Sequence, residues 1–380
     1  MRARLVQVVL LAVGCVGFAA PVRGQGTLST QGFGYPLGGL STRAAATGGA
    51  LSEFDHLSSR NPAALTLWGR TGLYVQYDPE FRSVESGAAT DRTTTSRFGA
   101  IAAGFTVGER WSIGVSSHAF LDRSWATNFR SGQRLGDDSV SYAERFSSKG
   151  GINDNRVAVA YRLHPKVVLG AGLHLLSGEN RLNLVREFDD SVRYGTLTRD
   201  ISLTYSGTAA SAGIVVSPFR RLALAGSYRQ GGSMKLRVVD TLRTEANVPS
   251  RYGVAVRLEP LSGVSLLVGA DRTEWSRMNG LGSASAAAQD TWEYSAGAQF
   301  AGQRLRNTPW TYSVGYRQRD LPFAAAGVPV TEKLFAGGLG IPIAGPRGML
   351  ELALQRAVRE AATATSERAW LLSVGFIVRP

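Results

Sequence analysis

The chain has 380 residues, 42 Lys and Arg against 29 Asp and Glu for a formal charge of +13, and one cysteine, Cys15. A lone cysteine excludes a disulfide framework and Cys-based metal or nucleophile chemistry. The basic excess is interleaved with acids rather than gathered in a stripe, which argues against a nucleic-acid partner. The histidines lack ligand spacing and no phosphate-cradling glycine loop precedes a helix, so no metal or cofactor is expected.

The first element is an export signal, residues 1–24. Arg2 and Arg4 precede an apolar stretch from Leu5 to Val16 that is too short to span a membrane as a helix, and Val22-Arg23-Gly24 offers a cleavage site before Gln25. Ala12-Val13-Gly14-Cys15 loosely resembles a lipoprotein cleavage box, but Ala12 stands where a larger aliphatic residue is usual. Cys15 reads as a hydrophobe of the signal core.

Residues 25–69 follow, rich in Gly, Ala and Ser and poor in large apolar side chains. Such a segment cannot build its own core, but it can fold inside walls supplied by the rest of the chain. It reads as a plug.

From residue 70 to 380 the chain is a run of alternating apolar and polar segments joined by connections that are long and short in turn. The clearest has Val157, Val159, Tyr161 and Leu163 on one side and Arg156, Ala158, Ala160 and Arg162 on the other, before His164-Pro165-Lys166 reverses the chain. Strands are predicted near 71–78, 97–107, 111–121, 154–163, 167–178, 199–217, 222–231, 250–258, 264–274, 291–301, 310–318, 332–341, 348–356 and 368–379. Short connections fall at 108–110, 164–166, 218–221, 259–263, 302–309 and 342–347, and the longest of the others runs from Asp122 to Asn153. Membrane strands cross in roughly 9–11 residues, and bacterial barrels have even strand numbers with short periplasmic turns and long outer loops. The expectation is an all-β protein, a transmembrane antiparallel up-and-down barrel of about fourteen strands, in a Gram-negative-type outer membrane with both ends periplasmic. Trp111, Trp310, Trp275 and Trp292 would form interfacial belts. Trp370, Leu372, Val374, Phe376 and Val378 alternate along the last strand, where a barrel-assembly signal with Trp370 and Phe376 as its aromatic members should lie.

The plug carries a resemblance to a known family. Arg43, the small-residue run that includes Gly48 and Gly49, the acidic Glu53 and Asp55, and then Ser59-Arg60-Asn61-Pro62-Ala63 resemble the N-terminal hatch of FadL-type long-chain fatty-acid transporters. Asp271-Arg272-Thr273-Glu274-Trp275-Ser276 resembles that family's acidic-to-Trp-Ser strand end, and Val248-Pro249-Ser250-Arg251-Tyr252-Gly253 its Pro-initiated strand entry. The resemblance implies a channel for hydrophobic or amphipathic small molecules such as long-chain fatty acids, gated by the hatch and released sideways into the membrane. The family's lateral exit depends on a kink in the third strand, and here that strand has Gly114 but no Pro.

Arg156, Arg162, Arg251 and Arg257 are expected to face the lumen, where a guanidinium can hold a carboxylate in bidentate fashion. Pairing with lumenal acids such as Glu351 is the alternative. Asn61-Pro62 is expected to root the hatch. The expected partners are the hydrophobic solute, outer-membrane lipid and lipopolysaccharide, and the barrel-assembly machinery, with the protein a monomer. A second reading is a secretion-associated barrel similar to type IX shuttle proteins, which binds protein partners. An outer-membrane hydrolase, using His118, His174, Asp271 and Ser116 on the inward face, is a less favoured third.

Overall fold

The structure is a computed structural model that describes residues 23–25 and 33–379, apart from 87–88, 136–137, 239–240, 282–286, 306–307, 326, 344–346 and 362–364. The export signal therefore lies almost wholly outside the described residues. No helix among the described residues is long and apolar enough to cross a membrane; the chain crosses with strands.

Fourteen strands close into one antiparallel barrel. They are β1 Gly72–Ser86, β2 Ala89–Val107, β3 Trp111–Leu135, β4 Asp138–His164, β5 Val167–Phe188, β6 Leu197–Phe219 and β7 Leu222–Val238, then β8 Thr241–Leu261, β9 Val264–Thr273, β10 Thr291–Leu305, β11 Thr308–Ala325, β12 Val328–Pro342, β13 Gly348–Glu360 and β14 Thr365–Val378. Each pairs with the next, and β14 pairs with β1 from Thr365↔Ser86 to Val378↔Leu73. Closure removes the sheet edges that lipid could not hydrogen-bond. The alternation works as the sequence implies: Leu73, Val75 and Tyr77 on β1 and Phe376 and Val378 on β14 face outward, while Tyr74, Gln76 and Glu80 are buried inside. The turn expected at 302–309 is shorter, because the ladder continues to Leu305↔Thr308.

The segment expected to be the longest outer loop, Asp122 to Asn153, is strand instead. β3 and β4 stay paired from Trp125↔Ser148 to Leu135↔Asp138, and β4 spans 27 residues, far beyond the membrane's need. Together with β5 and β6 they project past the lipid belt as a sheet. One of its faces carries Phe129, Phe146, Leu184, Phe188, Ile201 and Leu203, all at best half-buried, and the other carries polar and basic residues such as Arg130 and Arg181. The period-2 pattern is present there too, but its polar face and lack of a lipid-length apolar run hid it.

Two strands are broken, and each break matters. β3 is interrupted at Arg123–Ser124, after a bulge between Ala119 and Leu121 that brings Leu121, beside the already inward Phe120, onto the inner face opposite Ile152. β2 pairs with β3 only from Val107↔Trp111 to Ala100↔His118. Beyond that level the β3 edge is taken by N-terminal chain: Tyr35 and Pro36 pair with Asp122 and Leu121, Leu37 N–H donates to the Phe120 carbonyl at 3.1 Å, and Arg23–Gln25 pairs with Ala126–Asn128. β8 is interrupted at Val248–Ser250, and after the short β9 the chain folds inward over the lumen through a 3-10 turn, Trp275–Met278. Trp275 is therefore an interior residue, 6% exposed and stacked on Phe120 with centroids 5.4 Å apart, not a member of an interfacial belt. Trp292 and Trp111 remain exposed on the lipid side.

Residues 33–68 lie inside the barrel and are almost entirely buried. A short helix, α1 Thr42–Ala46, packs against β11 to β14; a 3-10 turn at Ser52–Phe54 meets β7 and β8; a second, Pro62–Trp68, meets β2 to β6. The segment thus touches most of the wall. Small residues on both sides permit this: a Cβ on Gly213 would collide with Asn61, and one on Gly170 with the backbone of Ala63.

Candidate functional site

Local sequence sets the shape of the buried segment. Ser41 caps α1 by accepting from Ala44 N–H at 3.1 Å, and Asn61 caps the second 3-10 turn by accepting from Ala63 N–H at 2.9 Å, with Pro62 at its first position where a missing N–H costs nothing. The Asn61 side-chain amide also donates to the carbonyls of Glu53, at 3.0 Å, and of Ile214 on β6, at 3.4 Å. Asn61 therefore ties the segment both to itself and to the wall.

Charged contacts then bind the segment to the barrel in three places. Arg60 donates to Asp271 on β9 at 2.7 Å, to Glu293 on β10 at 3.0 Å and to the Gly38 carbonyl at 2.8 Å. Glu53 accepts from Arg251 on β8 and from Ser227 on β7, the latter at 3.0 Å, and Arg251 also reaches Asp271. Tyr35 donates to Glu332 at 2.6 Å and its ring sits among the guanidiniums of Arg82, Arg97, Arg319 and Arg359, the nearest 4.3 Å from the centroid. Charge-assisted bonds of this kind are about twice as strong as neutral ones. Removing one member of a buried pair costs roughly 3–5 kcal/mol because the other is stranded without water.

A fourth cluster closes the segment at the barrel end where β1 begins and β14 ends. Asp55 accepts from Ser41 at 2.5 Å and from Ser58 at 2.6 Å. Burial alone would raise its pKa, but Arg43, His56 and the two hydroxyls together hold the carboxyl below its ordinary value. His56 lies against Trp68 at 4.9 Å, and burial outweighs Asp55 to push the imidazole down to about 3, so it is neutral.

Two small cavities adjoin the segment. One, of about 60 Å³, is bounded by Arg60, Arg229, Arg251, Asp154 and Asp271 with Phe120 and Trp275 above them. Arg229 is the least committed cation there: its bonds to Asp154 and to the Pro249 carbonyl are 3.3 and 3.4 Å, and its Nε has no hydrogen-bond partner among the described residues. The other, of about 50 Å³, lies behind Tyr35 and reaches the wall at Gly99, Ala119 and Leu372. Above the first is an apolar cluster in which Phe33, Phe120, Tyr205, Met234, Trp275 and Phe323 are buried, with Leu203 of the projecting sheet and Leu236 of β7 packed against it.

The four arginines expected in the lumen separate into two pairs. Arg156 and Arg251 are buried, Arg156 donating to the Ser58 carbonyl at 3.3 Å. Arg162 points to the inner side but at the exposed rim formed by the short turns, and Arg257 is part-exposed there, against Glu259 at 3.4 Å and over the Phe54 ring at 5.1 Å. Both lie too near a strand end to be enclosed. None of the four pairs with Glu351, whose carboxylate oxygens have no hydrogen-bond partner among the described residues. Of the histidines, His118 bonds the Leu57 carbonyl at 2.9 Å and does not engage Ser116. His174 does lie between Asp154, at 2.8 Å from Nδ1, and Ser211, at 2.9 Å from Nε2. That is the order of a hydrolase triad, but a Cβ on Gly172 would press on the Ser211 Oγ at 2.7 Å, and neither His174 nor Ser211 borders the two cavities. The hydrogen bonds from Ser211 through His174 to Asp154 hold that carboxylate toward Arg229. Missed altogether were Tyr35, Arg229, Arg319, Glu332 and Arg359. A signal for the barrel residues existed, since Arg317, Arg319, Glu332 and Arg359 fall on the parity opposite to the lipid-facing residues of β11, β12 and β13.

A sequence profile of the family described as BamG matches residues 4–237, more than half of the chain. The chain belongs to the BamG family. No curated protein sequence matches it. Among solved structures, the fold of this BamG-family barrel is similar to that of the Ralstonia pickettii toluene transporter TbuX, with TM-score 0.60 and 15% identity over 90% of this chain and 99% of that one. A Pseudomonas aeruginosa FadL homologue gives TM-score 0.62 at 12% identity over 91% and 99%. The Pseudomonas putida toluene transporter TodX gives 0.56 at 13% over 92% and 100%. The fold is that of FadL-type barrels; none of these neighbours is described as an enzyme.

Proposed function

We propose that this protein is an outer-membrane channel that admits hydrophobic or amphipathic small molecules, with residues 33–69 as the hatch that gates it. The observation that carries this reading is the continuity of apolar surface. It begins on the inner face of the projecting sheet at Phe129, Phe146 and Leu184, passes Leu203 and Leu236, and ends in the buried cluster around Phe120 and Trp275. An apolar solute gains free energy along such a path by leaving water, at roughly 25 cal/mol per Å², whereas a water-filled pore would offer it nothing. The charged cavity at the foot of the cluster, with Arg229 only loosely paired, suits a polar or carboxylate head. The route onward is lateral, between β2 and β3 above Ala100↔His118, where the ladder stops and Tyr35–Leu37 fills the β3 edge. Withdrawal of that short stretch opens the wall without breaking any β2–β3 hydrogen bond.

The cavities of about 60 and 50 Å³ are small against the roughly 300–1,000 Å³ of ordinary ligand pockets, so passage requires the hatch to move. The same closed state and half-exposed apolar sheet favour a second reading, a barrel that holds a protein partner of the secretion or barrel-assembly machinery on its outer sheet. Proteoliposomes separate the two. Uptake of a fluorescent long-chain acid should exceed that of protein-free vesicles and fall at least tenfold in Phe120→Asp. No uptake by wild type, together with stoichiometric co-purification of a protein lost on Phe146→Asp, would replace the channel by the partner reading.

A further inference from the structure

We infer that the outer surface of β12, β13 and β14, at the outer edge of the lipid belt, is a binding site for the phosphates of an outer-leaflet glycolipid. This rests on the outer-membrane location but is independent of transport.

The register places a band of aromatic and cationic side chains side by side: Phe335 pairs with Arg356, Arg356 with Trp370 and Trp370 with Phe81. All four point outward, and the Arg356 guanidinium lies over the Trp370 ring at 5.5 Å from its centroid. One step further from the membrane centre, Lys333 pairs with Val358 and Val358 with Arg368, so two more cations flank Arg356 on the neighbouring strands. Their backbones are roughly 10 Å apart, two inter-strand spacings. Three long basic side chains therefore stand on adjacent strands, within the span a single phosphorylated headgroup can cover.

Neutralisation within the protein is incomplete. Lys333 approaches Glu360 at 3.7 Å and Arg368 approaches Glu85 at 3.5 Å, all four side chains being about half exposed, and those acids sit one step further out again. No carboxylate pairs with Arg356 among the described residues. Exposed pairs of this kind contribute little, typically under about 1 kcal/mol, and yield readily to a stronger anion. The aromatic residues fix the depth: Trp and Phe at the belt hold the hydrocarbon boundary, so the cations lie where lipid phosphates lie. Arg356, buttressed by the Trp370 ring, is oriented to grip a phosphate through two N–H groups.

The test uses the purified full-length barrel in mixed micelles with bis-phosphorylated lipid A as the probe, measured by native mass spectrometry. The triple variant Lys333→Gln, Arg356→Gln, Arg368→Gln should lose at least tenfold in lipid A affinity, and the wild type should discriminate by a similar factor against dephosphorylated lipid A. The pair Arg130→Gln, Arg181→Gln on the projecting sheet should change nothing. Equal retention by wild type and triple variant, equal retention of the dephosphorylated lipid, or a matching loss in the control pair would each overturn the site. Displacement of lipid A by inorganic phosphate at low millimolar concentration would reduce it to a free-anion site and overturn the lipid assignment. Heat-modifiability reports folding of each variant, and Arg356→Gln alone, with a severalfold loss expected, serves if the triple variant does not insert.

Discussion

Arg60, in the buried N-terminal segment, donates to Asp271 on β9 at 2.7 Å across a stretch of 211 residues. Because Arg60 also holds Glu293 and the Gly38 carbonyl, one side chain joins the two ends of the hatch to two strands of the wall. Asp271 shares a second cation, Arg251, which in turn holds Glu53. Residues 33–69 are thus retained by a network whose links are buried or part-buried, and on the proposed channel reading their release is expected to be cooperative.

Arg60→Ala is expected to strand two carboxylates and to destabilise the closed hatch by roughly 3–5 kcal/mol, while the barrel still inserts. Planar-bilayer recordings should show raised basal conductance. The double variant Arg60→Ala, Asp271→Asn should recover part of it, because one stranded charge is gone; no recovery would mean that Asp271 is not the limiting partner.

Replacing Asn61 and Pro62 with Ala removes a cap, worth about 1 kcal/mol, and the bonds from Asn61 to the Glu53 and Ile214 carbonyls. Leak conductance and solute uptake should both change in a correctly inserted barrel. Wild-type values for both would show that the root of the hatch lies elsewhere.

Acid should loosen the hatch. His56 is held down at about 3, so its contribution is complete above its ordinary pKa of about 6.5 and is lost as pH falls from there toward 3. Asp55, also held below its ordinary value, loses its contribution as pH falls below about 4. Both effects have the same sign. Limited proteolysis of the segment should accelerate as pH drops from 7 to 4, and His56→Gln should flatten the upper part of that profile. A wild-type rate that stays constant across this range would contradict it.

Trypsin on intact cells should cut first near Arg193, 69% exposed at the β5–β6 turn, and not within Trp125–Leu135, whose backbone is paired with β4. Early cleavage inside 125–135 would show that the projecting sheet is not formed at the cell surface.

Phe376 is 44% exposed on the lipid face of the last strand, beside Val75 of β1. Phe376→Asp should block barrel insertion, since a charge then faces hydrocarbon at the closing seam. Normal yield of heat-modifiable protein would place the assembly signal in other residues.

The sequence by itself determined the class of fold and the lipid-facing half of each strand, because both follow from a period of two read over a membrane's thickness. Val157 to Leu163 and Trp370 to Val378 were legible for that reason. It also marked Arg60, Asn61 and Pro62 through a resemblance in motif. Where strands leave the membrane the lipid no longer imposes an apolar face, so β3 and β4 beyond Arg123 read as loop. Only the tertiary structure decided which inward charges meet: Arg60 with Asp271, Tyr35 with Glu332, His174 with Asp154 and Ser211. Those pairs join residues from 20 to 297 positions apart, and parity along a strand says which face a side chain takes, not which of the facing strands it reaches. The break in β3 was equally hidden, since it arises from the bulge at Phe120 and from the N-terminal chain that takes β2's place at the β3 edge. A local pattern fixes local geometry; closure of the barrel around its own N-terminus fixes the rest.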